Sequence, residues 1–258
     1  MNKLDYISKE DMPLILVKKD DDKEIKINKD EYYDSSIYYL IDKNGNGIIP
    51  LAEENEEKGF NVSFFDGKNI IIKRFFDSES SSIFHYRYDD IKRTISLVKE
   101  FRQRNRTCRT PILEINNEDG VAILHEEKNW GNESVSSLYS LDKGQKISPE
   151  FSSLKLMESN SKTPIFLFTD DINLPNQKIG TTLTGVITGN GKMYDGVYDD
   201  YFNRQRNCEL NTHPNFMQYA ALKRAVLREL HDEVERKQEL VQESARKKAK
   251  FIETAKKI

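Results

Sequence analysis

The sequence has little of what usually reveals a function at a glance. It contains two cysteines in 258 residues. Cys108 and Cys208 lie far apart and neither belongs to a CxxC pair, so no disulfide framework or thiolate metal knuckle is expected, and a reducing compartment is the simpler setting. Long hydrophobic runs are missing too. The N-terminal region offers only the four residues Leu14 to Val17, too short for a signal-peptide core, and nothing downstream approaches the ~20 apolar residues of a membrane helix. The expectation is a soluble chain without a transmembrane segment, either cytoplasmic or delivered into a target cell by a route that reads no cleaved signal. No charge sign dominates: 40 Lys and Arg stand against 43 Asp and Glu, a formal net charge of -3. Bulk attraction to a polyanion is excluded, and any such site must be local. The phosphate loop GxxxxGK[ST], HExxH, GxSxG, HxE…PCxxC and the dinucleotide fingerprint are all absent, so no standard enzyme chemistry is legible.

What is present points to a folded, β-rich chain. Hydrophobic residues make up 37% of the sequence, aromatics 10% and charged residues 32%, polar but far from the composition of disorder. Six segments read as short β-branched or aromatic runs around a polar turn: 14–27, 37–51, 62–75, 111–124, 138–147 and 183–198. Most of their turns hold Asp-Gly, Asn-Gly or Lys-Gly, residues that accept the positive φ of a tight hairpin. The strands between them show no fixed period, so no sequence repeat is assigned. Two segments carry a helical pattern instead. Ile91, Ile95 and Val98 within 88–106 are spaced for one helix, with Asp89 or Asp90 as N-cap. The second runs from Pro214, suited to a first helical position, to Ile258 without further proline or glycine. The predicted fold is α+β: an antiparallel β-rich domain over 1–210 built from hairpins, an amphipathic basic helix near 88–106, and a helical arm over 211–258. The serine-rich stretch 130–162 is the expected loop or subdomain boundary.

Three segments resemble motifs of known families. In "DKNGNGIIPLAE" the residues Asp42, Asn44, Asn46, Gly47, Ile48 and Glu53 match the calcium loop of the EF-hand family. The resemblance implies Asp42, Asn44, Asn46, the Ile48 carbonyl and Glu53 as Ca²⁺ ligands. Its flanks depart from the family: "SIYYLI" is strand-prone, Pro50 sits inside the loop, and "ENEEKG" lacks a packing face. The alternative, which explains those flanks, is a β-hairpin; over the same span the chain resembles hairpins of WG-type β repeats. "PIFLFTDDINLP" (164–175) resembles the Walker B strand of AAA-type ATPases, in which Asp170 or Asp171 would hold Mg²⁺, but the matching phosphate loop is missing. "GNGKMYDGVYDDY" (189–201) is similar to a single MORN hairpin, and one copy cannot stack.

Candidate functional residues follow from local chemistry. The best nucleophile and base pair is Cys208 with His213, where Arg204 and Arg206 would lower the thiol pKa. His125, Glu126 and Glu127 form a weaker acid/base or metal cluster, while His85 and His231 read as structural or solvated. Residues 91–109 set seven bases, Lys92, Arg93, Lys99, Arg102, Arg104, Arg106 and Arg109, against the single acid Glu100. On one face of a helix these would meet an acidic protein, phosphate or an anionic lipid surface, and the alternative is an ordinary solvated face that serves solubility; nucleic acid is disfavoured because no aromatics are interleaved to stack bases. The distal arm, with Arg246, Lys247, Lys248 and Lys250, suits a partner or a second copy. The functional expectation is an interaction or adaptor protein that binds a protein partner. The alternative is a divergent, target-directed effector or toxin enzyme with a cysteine- or carboxylate-based site assembled in the fold. No cofactor is expected beyond the calcium alternative.

Overall fold

The computed structural model of the protein describes residues 4–7, 14–28, 31–42, 47–50, 60–75, 81–89, 91–92, 94–102, 111–115, 120–128, 133–158, 163–175, 177–208 and 216–255. Its strands are β1 (Leu4–Ile7), β2 (Leu14–Asn28), β3 (Glu31–Asp42), β4 (Gly47–Pro50), β5 (Phe60–Phe65), β6 (Asn69–Phe75), β7 (Ser81–Asp89), β8 (Thr94–Arg102), β9 (Ile112–Ile115), β10 (Val121–Lys128), β11 (Glu133–Ser140), β12 (Gln145–Lys146), β13 (Ser153–Glu158), β14 (Ile165–Asn173), β15 (Gly180–Thr188), β16 (Met193–Asp199) and β17 (Arg204–Arg206). A single helix, α1 (Met217–Ala255), follows them. Among the described residues the strands form four antiparallel sheets made of chain neighbours: β1 to β4, β5 to β8, β9 to β12 and β13 to β17. The fold is α+β and built from hairpins, as the turn chemistry requires.

Five of the six predicted hairpins form: β3–β4, β5–β6, β9–β10, β11–β12 and β15–β16. At the β5–β6 turn, Gly67 takes φ 91, and the Asp66 carboxylate accepts the backbone N–H groups of Lys68 at 2.8 Å and Asn69 at 2.6 Å. Aspartate and glycine divide the work there, one supplying acceptors and the other the left-handed backbone. The sixth segment, 14–27, is one strand instead. β2 stays paired with β3 past Asp20, Asp21 and Asp22, and the ladder only shifts register between Asp20 and Glu24. That aspartate run contains no glycine to take positive φ, so the chain bulges where a turn had been expected.

The predicted basic helix at 88–106 is overturned: this segment is the end of β7, a turn, and β8. Asp89 does what an N-cap does, since its carboxylate accepts the N–H groups of Ile91 and Lys92, both at 3.0 Å. The same two hydrogen bonds also close an Asx turn, and here the chain returns as a strand. Ile91, the supposed start of the apolar stripe, is 95% exposed. β-branched Thr94, Ile95 and Val98 favour the pleated alternative, which pairs β8 with β7 from Asp89↔Thr94 to Ser82↔Arg102. The serine-rich stretch 130–162 also carries strands: β11, β12 and the start of the last sheet, linked by an isolated bridge between Ser136 and Phe151.

The sheets β5 to β8, β9 to β12 and β13 to β17 pack on one another in that order. The sheet β9 to β12 is covered on both sides, which is why "VAIL" in β10 is a continuous buried run and not an alternating one. Leu124, Tyr139 and Leu141 meet Ile71, Ile83 and Phe101 of the preceding sheet. Val121, Ile123 and Leu138 face the last sheet, together with Phe151, Phe168, Leu183 and Val197. Phe151 stacks on Phe168 with ring centroids 4.2 Å apart, and Tyr219 of α1 meets Phe151 edge-on at 5.3 Å. No helix among the described residues is long and apolar enough to cross a membrane.

Candidate functional site

Helix α1 falls into two parts whose side chains meet different surroundings. In the first, Tyr219, Val226, Leu230 and Val234 are buried against the last sheet, the stripe expected of a helix lying on a hydrophobic surface. Polar contacts fix it in place. The strand β14 alternates along its length, and its inward set Phe166, Phe168, Asp170 and Ile172 includes one carboxylate. Asp170, 3% exposed, accepts the Tyr219 hydroxyl at 2.8 Å and pairs with Lys223 Nζ at 2.7 Å. Ser152 Oγ adds a third donor at 3.3 Å. Burial and the neighbouring Asp170 push the Tyr219 hydroxyl far above its ordinary pKa, so it stays a donor at every physiological pH.

A second clamp sits about two helical turns beyond Lys223. Arg206 on β17 donates to buried Asp199 at 2.8 Å and to both Glu229 oxygens, at 3.0 and 2.9 Å. Arg204 joins Glu229 as well. The hydrogen bond from Arg206 holds the Glu229 carboxyl below its usual range. Lys237 Nζ donates to the Tyr201 hydroxyl at 3.0 Å, and beyond that contact the helix leaves the sheet. Every residue from Glu235 to Glu253 is exposed. That stretch includes Leu240 at 54%, Val241 at 70%, Phe251 at 75% and Ile252 at 55% exposure. Leu240, Lys247, Lys248, Phe251 and Ile252 line a shallow open groove along this free face.

A further concavity, of about 360 Å³, opens between β8 and the sheet β9 to β12. Lys99, Glu100 and Arg102 of β8 line it with Glu126, Tyr139, Gln145 and Lys146. Of the basic run, Lys99 and Arg102 are the described residues that line this cleft. Several charges around it are paired. Arg102 pairs with Glu100, Lys146 with Glu126 and, at 2.9 Å, with Glu150, and Lys128 closes on Glu150. Burial alone would raise the Glu150 pKa, but the hydrogen bonds from Lys128 and Lys146 outweigh it and bring the carboxyl to about 2. Each of these pairs stays on its own side of the cleft, Arg102 with Glu100 within β8 and the others within the sheet β9 to β12 and the loop that follows it.

The other sequence-predicted residues are dispersed. Lys92 lies in the β7–β8 turn, 3.8 Å from Asp89; Arg93, Arg104, Arg106 and Arg109 fall outside the described residues. Asp42 ends β3 and Ile48 belongs to β4, so a strand leads into the Asp42–Glu53 segment where an EF-hand has an entering helix, and another lies within it. Asn44, Asn46 and Glu53 lie outside the described residues. Cys208 is half-buried against the main core, and burial raises its thiol pKa, the opposite of what a nucleophile needs. The arginines expected to activate it are committed to Asp199 and Glu229, and His213 lies outside the described residues. His125 is hydrogen-bonded across its sheet to Ser136 Oγ at 2.9 Å and Glu114 at 3.2 Å. Asp170 was visible in the sequence only as the end of an apolar strand; its partners Tyr219 and Lys223 come from a distant helix.

No family model matches the chain, and no curated protein is detectably similar to it in sequence.

Proposed function

We propose that the protein is an interaction protein: a β-rich body over 1–210 presents the helical arm of 211–258 to a protein partner. The observation that carries this reading is the exposure of Leu240, Val241, Phe251 and Ile252 on a helix whose preceding turns are clamped to the last sheet. A surface helix that served only solubility would not continue an apolar stripe past its own support. The clamps supply orientation. Asp170, Asp199 and Glu229 fix the helix near its base, so the free part leaves the body at a set angle and a partner meets a preformed surface, with less ordering entropy to lose on binding. The helical basic face expected over 91–109 does not form, because its described part is a turn and β8, and burial raises the Cys208 thiol pKa against a nucleophilic role.

Truncation after Gln238 tests this. The shortened chain should keep its melting temperature within about 2 °C, because it retains every buried residue of α1. It should also lose the partners that the full chain retains when each, immobilised, is exposed to extract from its own cell. Equal retention by both chains would refute the reading. A large fall in melting temperature would show that the distal helix belongs to the core.

A further inference from the structure

The exposed part of α1 carries its own instructions about what can cover it. At ~100° per residue, Leu240, Val241, Phe251 and Ile252 fall within an arc of about 120°, the same side of the helix as the buried Val226, Leu230 and Val234. Ser244 and Lys248 occupy the middle of that arc, so the apolar surface is two patches with a polar waist. Any partner helix must bring apolar side chains to both patches and avoid a second cation at the waist.

Taking the partner-binding role proposed above as given, we infer that the partner is a second copy of this chain, paired antiparallel through the exposed half of α1 with Arg246 at the midpoint. In that register Leu240 lies opposite Ile252 and Val241 opposite Phe251, at both ends of the contact, while each Lys248 lies opposite a Ser244. A parallel pair places Lys248 against Lys248 in one layer, a like-charge contact that specific interfaces avoid. Space agrees: the β-rich bodies sit at opposite ends of a segment about 28 Å long, at 1.5 Å per residue over 237–255. Two and a half heptads make a small contact, so the dimer forms in the micromolar range.

Sedimentation velocity on the full chain up to roughly 100 µM reads this directly. The expected result is a concentration-dependent shift from monomer to dimer, abolished by Leu240→Glu together with Phe251→Glu while far-UV circular dichroism and melting temperature stay unchanged. Orientation is read by spin labels in a chain with Cys108→Ser and Cys208→Ser. Labels at Gln238→Cys should lie about 24 Å apart or more, 16 residues of axial offset, and labels at Ala245→Cys, beside the seam and one residue from its midpoint, should be close. Close labels at both positions would overturn the antiparallel register. A chain that stays monomeric with α1 still helical overturns self-pairing and leaves the partner to be another protein. Monomer together with binding to phosphatidylserine vesicles assigns the stripe to a lipid surface. Monomer together with loss of the distal helical signal and rapid proteolysis after Gln238 overturns both this inference and the presented-arm reading beneath it.

Discussion

Acid should reach this fold first through His85. The ring lies on β7 with no exposed surface, Nδ1 2.9 Å from the Tyr139 hydroxyl and Nε2 3.0 Å from Asn69 Oδ1. The Asn69 amide nitrogen donates to Asp66 at 3.0 Å, which leaves Asn69 Oδ1 as an acceptor. Nε2 therefore carries the ring proton, and Nδ1 accepts from Tyr139, whose own pKa burial pushes well above its ordinary value. Burial, and next the positive charge of Arg87, lower the His85 pKa from 6.5 to about 4. The unfolded ring takes up its proton as pH falls through about 6.5, and the folded ring resists until about 4. Its stabilising contribution is thus complete above pH 6.5 and is lost between 6.5 and 4. At ~1.4 kcal/mol per pKa unit the loss is about 3 kcal/mol. Urea unfolding of the wild type and of His85→Gln at pH 7.5, 5.5 and 4 measures it. Carboxylates titrate equally in both proteins, so the difference between them isolates the ring. The wild type should lose about 3 kcal/mol more than the variant over that range. Parallel stability curves would refute the buried neutral imidazole and the hydrogen-bond assignment that follows from it.

The clamp under α1 should behave as a coupled unit. Asp170→Ala should cost about 3–5 kcal/mol by stranding the buried Tyr219 hydroxyl and releasing Lys223, and Tyr219→Phe about 1.5–3 kcal/mol. The double variant should fall short of their sum by about 1.5 kcal/mol in a urea double-mutant cycle, and additivity within ~0.5 kcal/mol would deny the contact. The Asp42–Glu53 hairpin should hold no tight Ca²⁺. Titration calorimetry is expected to show no saturable heat at micromolar concentrations, and a site in that range that disappears in Glu53→Gln would restore the calcium alternative.

Much of the β architecture was legible because hairpins write themselves locally. Asp66-Gly67 and Asp142-Lys143-Gly144 name their turns, and Gly144, at φ 66, could hardly be another residue: a Cβ there would lie 2.3 Å from Val98 Cγ1. The arm was legible for the same reason, through an unbroken helical period after the last glycine. β8 was not, because Ile91, Ile95 and Val98 fit a helix spacing by coincidence and Asp89 makes hydrogen bonds common to a helix start and a turn. The clamp was hidden by distance: Asp170 and Tyr219 are 49 residues apart, and nothing near Asp170 shows that its strand faces a helix. The pairing at the cleft was hidden too: nothing near Lys128 shows that it will meet Glu150, 22 residues further on.

The stacking of meanders also sets an order of events for the growing chain. Each sheet pairs only strands that follow one another, so a meander can form as soon as its own residues emerge, with short loops to close. The last sheet is different. Its inner face, Phe166, Phe168, Leu183 and Val197, is completed by Tyr219, Val226 and Leu230 of α1, residues made after the sheet itself. Until they arrive, a growing chain that has reached only Cys208 leaves part of an aromatic sheet face uncovered beside unpaired strand edges, the hallmark of an aggregation-prone intermediate. Docking of α1 is therefore the step that closes the last sheet.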